Sequence, residues 1–236
     1  MARSTSGAEE LSAMLHPDLR EALASKSSIG QKLAPAVLAL PVLTQEGAAR
    51  LEAELRSNPG LRTDGRLVLT RSEGEQTPLA AALAALLARE VLPRLAPLVG
   101  SNGEPVRLCS EGRHYVLRYS AEAAADNGRV FRCHQDDSDL TLAVCLGSSS
   151  GWRGADLLYV RDSSASRPGT PDLNAPETST VRHVHQIGVG VLHGGGVYHL
   201  VEPLLSGERL TLVVLAMRDD AAWKHTFYAE TGGAAS

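Results

Sequence analysis

From about residue 105 to residue 218 the chain consists of short β-prone runs divided by turn residues, and this restricts its fold most. PVRLCS, RHYVLRYS, RVFRCHQ, DLTLAVCLG, ADLLYV, TVRHVHQI, GVGVLHG, GVYHLV and RLTLVVLAM follow one another, with Gly, Ser, Asp and Asn between them. Several alternate apolar and polar residues, so each such strand has one face to bury against another layer. The first hundred residues read mainly as helix. AEELSAMLHPDLREALAS forms one or two amphipathic turns, and PAVLAL at 35–40 is a short buried strand. Thr44 caps a helix whose Ala48, Leu51 and Leu55 share one face. GRLVLT at 65–70 is strand-like, and Thr77-Pro78 opens the helix AAALAALLAREVL, which Pro93 ends or kinks. The expectation is an α+β, mainly β architecture: a β-sandwich or double-sheet jelly roll with helices packed on one face.

At 236 residues, a prior of roughly 150 per domain leaves one extended domain or one and a half. The texture places a partly helical N-terminal extension at 1–34 and a single domain at 35–236, with its sheets at about 105–218. With 23 basic and 27 acidic residues, the net charge of −4 excludes a strongly basic nucleic-acid binder. Cys109, Cys133 and Cys145 are odd in number and lack CxxC spacing, which argues against a disulfide-stapled secreted fold. The first 30 residues have no apolar signal-peptide core, and the longest apolar run, LAPAVLALPVL at 33–43, is short and holds two prolines. A cytoplasmic or otherwise intracellular chain with no membrane partner is expected. RDSSASRPGTPDLNAPETST, at 161–180, is too long for a turn and reads either as a substrate lid or as a plain connector.

The chemistry concentrates in two places. In HQDDSDLTL, His134 and Asp136 are two residues apart, so on extended backbone an imidazole and a carboxylate reach one metal while Gln135 points away. In YHLVEPLLSGERLTLVVL, His199 is on one short strand and Arg209 ten residues later on the next, across a turn-like LLSGE. Arg209 and Thr211 share a strand face, so a guanidinium and a hydroxyl can converge on one carboxylate. Two His and one carboxylate form the set that leaves open positions on non-haem Fe(II).

HQDDSDLTLAVCLG, WRGADLLYV and VGVLHGGGVYHLVEPLLSGERLTLVVL, in that order, resemble the Fe(II)/2-oxoglutarate-dependent oxygenases, closest to their prolyl-4-hydroxylase-like branch. The upstream LALPVLTQEGAARLEAEL is similar to that branch's entry to the fold, and the resemblance covers about residues 35–218. It implies a double-stranded β-helix (jelly roll) with supporting N-terminal helices. It also implies that His134, Asp136 and His199 ligate iron and that Arg209 pairs with the distal carboxylate of 2-oxoglutarate. Thr211 would help by hydrogen bonding, and Tyr119 would face the co-substrate. The implied activity is a dioxygenase that uses Fe(II), 2-oxoglutarate and O₂, supported by ascorbate, to hydroxylate an amino-acid side chain such as prolyl in a protein or peptide. A free amino acid or small molecule, or a non-catalytic binding module, is the alternative. Two departures stand out. A Gly-Gly-x-Leu pattern is Gly154-Ala155-Asp156-Leu157 here, and the Trp that often ends the arginine strand is absent from LVVLAMR.

Other histidines compete. His193, six residues before His199, is an alternative ligand or a pocket neighbour. His183 and His185 share a strand face and could bind a second metal, although an exposed strand face is the expected reading. His16, His114 and His225 carry no local signal.

Overall fold

The computed structural model describes residues 5–61, 65–69, 77–99, 108–109, 114–121, 132–161 and 178–218. Most of the 161–180 insert, the start of the RVFRCHQ and PVRLCS runs, Thr70 and His225 lie outside the described residues.

The N-terminal layer is helical: α1 (Thr5–Met14), α2 (Pro17–Ser25) and α3 (Gln45–Ser57), with β1 (Gln31–Ala34) and β2 (Val37–Pro41) between the second and third. Thr44 caps α3 as expected, its Oγ1 accepting from the Gly47 amide at 2.9 Å, and Ala48, Leu51 and Leu55 are fully buried. After β3 (Arg66–Val68) comes α4 (Pro78–Leu86). Its open N-terminal amides are met from α3: the Glu54 carboxylate accepts from Leu79 at 2.8 Å and from Ala80 at 2.9 Å. Charge and acceptor thus arrive where the helix dipole favours an anion.

The helix does not end at Pro93. A π turn at Leu87–Val91 leads directly into α5 (Leu92–Val99), which contains Pro93 and Pro97. A proline ring clashes with the carbonyl four residues back in regular helix, and the wider π turn just before Pro93 relieves that crowding without breaking the rod.

The remaining strands are β4 (Leu108–Cys109), β5 (Tyr115–Ser120), β6 (Leu140–Gly147), β7 (Trp152–Gly154), β8 (Leu157–Val160), β9 (Thr180–His183), β10 (Val189–Gly194), β11 (His199–Val201) and β12 (Leu204–Arg218). The major sheet runs β1-β2-β10-β6-β12-β5-β3, with β4 and β7 also paired to β12; the minor sheet is β11-β8-β9, and all pairings are antiparallel. Period-two alternation divides the major sheet's side chains. Leu38, Leu40, Leu140, Leu142, Val144, Leu192, Leu210, Leu212 and Val214 join the helices' Leu51, Leu55, Leu83, Leu87 and Leu92 in one apolar core. The opposite face meets the minor sheet through Val37, Tyr119 and Val191 against Leu157, Tyr159 and Val201. This is the helix-backed double sheet that the strand pattern and the resemblance imply.

LLSGE is not a turn. Leu204 to Gly207 already belong to β12 and pair with β7. Glu202 and Pro203 carry the antiparallel pairing on from β11 without a reversal, the Glu202 amide donating to the Asp156 carbonyl at 2.8 Å and the Ala155 amide to the Pro203 carbonyl at 3.1 Å. Gly207, at φ +76°, lets β12 change partners: a Cβ there would lie 2.1 Å from the Gly151 carbonyl oxygen. One 15-residue strand therefore serves β7 at its start and the centre of the major sheet afterwards.

Candidate functional site

The site lies between the two sheets, in a cavity of about 420 Å³ that reaches from His134, Asp136 and His199 to Arg209 and Thr211. A backbone bridge joins its two halves. The His134 amide donates to the His199 carbonyl and the His199 amide to the His134 carbonyl, each at 2.9 Å. Asp136 is placed by the glycine turn after β10: its amide donates to the Gly195 carbonyl at 3.0 Å, and the Gly195 amide donates to Asp139 O at 3.0 Å. A Cβ on Gly195 would fall 1.5 Å from the Ser138 carbonyl oxygen, so only glycine permits this approach. Gln135 turns away as its parity requires, its amide donating to the Gly196 carbonyl at 2.6 Å.

His134, Asp136 and His199 offer ligand atoms that all lie within 4.8 Å of one another. His134 Nε2 is 3.5 Å and His199 Nε2 3.8 Å from Asp136 Oδ1. The Nδ1 of His134 donates to the Arg132 carbonyl at 2.8 Å, and that of His199 to the Val197 carbonyl at 3.0 Å. Because a carbonyl only accepts, both rings present an Nε2 lone pair to the same point. The other carboxylate oxygen, Oδ2, accepts from Thr141 Oγ1 at 2.6 Å, and Ser138 Oγ meets Thr141 Oγ1 at 2.9 Å. Burial works against the charge on Asp136, yet contact with His134, the neighbouring His193 and His199, and the Thr141 hydroxyl hold its carboxyl well below the usual range. The His199 imidazole is pushed down to about 4, chiefly by burial. These donors suit a divalent metal of the nitrogen/oxygen-preferring kind.

Arg209 has no solvent exposure. Its Nη1 donates to the Ala155 carbonyl at 2.6 Å, and its guanidinium carbon lies 4.6 Å from the Tyr119 ring centroid. Arg209 Nε, Thr211 Oγ1 and Tyr159 Oη are buried and have no hydrogen-bond partner among the described residues. Orphaned donors cost free energy when buried, and three lining one cavity fit a bound carboxylate such as that of 2-oxoglutarate. Tyr119, Arg209 and Thr211 are therefore brought to one wall, in register as Tyr119 opposite Arg209.

Sequence reasoning missed Tyr159, and the structure also places His193, His183 and His185. Tyr159 stands opposite His199 in the minor sheet, its inward parity being the available sequence signal. His193, fully buried on β10 opposite Thr141, places Nε2 3.6 Å from Asp136 Oδ2, but falls outside the three-residue cluster. His183 and His185 are not on an exposed face: they are 9% and 7% exposed, with ring centroids 5.4 Å apart. β9 is an edge of the minor sheet, paired with β8, and His185, two residues past its end, lines the cavity.

No protein-family model matches the chain. It is 33% identical over 147 residues to the Homo sapiens "2-oxoglutarate and iron-dependent oxygenase domain-containing protein 2", covering 62% of this chain and 37% of that protein. The Mus musculus protein of that name is 34% identical over 102 residues, covering 43% of this chain and 25% of its own length. The matches thus span between a quarter and just over a third of these curated relatives. Among solved structures, a prolyl 4-hydroxylase from Phytophthora capsici superposes with a TM-score of 0.57 at 15% identity, covering 90% of this chain and 66% of the other. The alpha ketoglutarate dependent carbocyclase SnoK from nogalamycin biosynthesis gives 0.55 at 17% identity, covering 78% and 80%. Part of the chain is thus similar to proteins named for a 2-oxoglutarate- and iron-dependent oxygenase domain, and the chain shares the double-stranded β-helix fold of the solved oxygenases.

Proposed function

We propose that the protein is an Fe(II)- and 2-oxoglutarate-dependent dioxygenase that hydroxylates an amino-acid side chain, with prolyl the first to test. The observation that carries this reading is one cavity holding both a His134–Asp136–His199 donor set and unpaired Arg209 and Thr211 donors. His134, Asp136 and His199 would hold the iron, and Arg209 and Thr211 the distal carboxylate of 2-oxoglutarate, with Tyr119 and Tyr159 along its side. The bound metal supplies O₂ activation coupled to decarboxylation of the co-substrate.

The chain's own contribution is positional. The Arg132 and Val197 carbonyls fix the histidine tautomers, while Thr141 occupies Asp136 Oδ2 and turns Oδ1 toward the imidazoles. Stacked on Tyr119 and anchored on Ala155, Arg209 keeps a guanidinium edge for a carboxylate, a fit that a lysine point charge does not reproduce. Buried Leu157, Val201 and Val213 wall the cavity and limit water.

The test measures succinate from 2-oxoglutarate with Fe(II) and ascorbate, against a prolyl-containing peptide panel and free amino acids. Wild-type protein is expected to form succinate and His134→Ala to form none. Equal background in both would favour a non-catalytic binding module. Turnover in Arg209→Ala with unchanged 2-oxoglutarate dependence would remove Arg209 from the co-substrate site. Free amino acids and small molecules stay in the panel because the structural neighbour SnoK is a carbocyclase of nogalamycin biosynthesis.

A further inference from the structure

The cavity wall is unequal in charge. Among the described residues that line it are three guanidiniums, Arg66, Arg118 and Arg209, and one carboxylate, Asp136. Two of the three cations are already engaged. Arg209 faces the co-substrate pocket, and Arg118 donates from Nε to Glu208 Oε2 at 2.8 Å. Glu208 also pairs with Arg56, which in turn pairs with Glu52, so that network of two cations and two anions is neutral.

Arg66 differs. It opens β3, the edge strand of the major sheet, opposite Leu117 on β5, which places it on the cavity face with Tyr115 and Tyr119. Its guanidinium carbon lies 4.0 Å from the Tyr115 ring centroid. Stacking engages the flat face of a guanidinium and leaves its N–H edge free to bind an anion. Arg66 is exposed and has no carboxylate partner among the described residues. With a divalent metal and dianionic 2-oxoglutarate bound, their charges cancel, and Asp136 cancels Arg209. The charge left over on the described cavity wall is that of Arg66.

We propose that Arg66, held flat on Tyr115 at the cavity wall, selects a primary substrate bearing a carboxylate. This rests on the oxygenase reading above and narrows its substrate class. The carboxylate belongs either to a free acid or to an acidic side chain in a peptide, and both sources present the same planar acceptor to the guanidinium edge.

The test uses the full chain with Mn(II) and saturating 2-oxoglutarate, so that the Arg209 pocket is filled. Calorimetry compares matched pairs: phenylacetate with phenylacetamide, and acetyl-Ala-Glu-Ala-amide with acetyl-Ala-Gln-Ala-amide. In at least one pair the acid should bind about tenfold more tightly than its amide, and the pair that responds tells free acid from peptide. Arg66→Gln should abolish that preference and Arg66→Lys retain part of it, with thermal melting unchanged because the side chain is exposed. If no acid outbinds its amide, or the preference survives Arg66→Gln, the assignment of Arg66 is overturned. Failure of 2-oxoglutarate itself to bind the Mn(II)-loaded chain would instead count against the oxygenase reading, so the two failures are separable.

Discussion

At the scale of single residues, Asp136 shows how neighbours set a side chain's task. Its two oxygens have different surroundings: Oδ1 faces His134 and His199, whereas Oδ2 accepts from Thr141 at 2.6 Å. Thr141→Val removes that donor while conserving shape. Groups that orient a ligand typically carry about 10–100-fold in metal affinity. A Mn(II) titration of Thr141→Val should therefore show weakening in that range, and an unchanged dissociation constant would mean that His193 or the backbone holds Asp136 instead. Arg209→Lys keeps the charge but loses the fork that spans Ala155 O and the pocket. Weaker 2-oxoglutarate binding with unaltered Mn(II) binding is the expected result, read by the same calorimetry.

At the scale of elements, the site depends on how strands and turns meet. The HxD segment touches the β10–β11 turn only because Gly195 has no side chain to strike Ser138 O. Gly195→Ala should displace Asp136, lowering Mn(II) affinity and stability together; a variant with wild-type metal binding would show that the segment can move aside at little cost. The α3–α4 contact makes a separate prediction. Glu54→Ala removes the acceptor for two helix amides and should cost about 1 kcal/mol in urea unfolding, with Glu54→Gln costing less. The Thr44 cap and the Ala48-Leu51-Leu55 face were legible because both depend on neighbours in sequence. Capping of α4 by Glu54 was not, since its partners are 25 and 26 residues apart. The extension of β12 through LLSGE was hidden for the same reason: pairing with β7 outweighed the local turn preference of Ser-Gly.

At the scale of the whole molecule, burial of imidazoles links stability to pH. His114 is 6% exposed, and burial pushes its imidazole down to about 4. Unfolded, it titrates near 6.5. Between those values the unfolded chain binds a proton that the folded chain refuses, so stability is full above about pH 6.5 and falls as pH drops toward 4. Crossing the whole window is worth about 3 kcal/mol for this one group. His183 and His185, also pushed down by burial, act in the same direction. Urea midpoints at pH 7 and 4.5 should converge in His114→Leu relative to wild type, and identical pH slopes would remove His114 from the account. Among the described residues no helix is long and apolar enough to cross a membrane.

Sequence by itself determined the strand-rich half and its alternating faces, and it set His134 beside Asp136 and Arg209 beside Thr211 on shared strand faces, because periodicity is a property of neighbours along the chain. Joining those pairs with His199 in one site was what the resemblance implied. Tertiary structure decided what only contact across the chain can settle. It brought β8 opposite β11, so Tyr159 joined the cavity, and it buried His183 at the end of β9 and His185 just beyond it. It carried the helix past Pro93, and it laid Arg66 over Tyr115 at the edge of the major sheet. These outcomes depend on which surfaces are excluded from water together, and that is set by the packing of the two sheets on each other and on the helices.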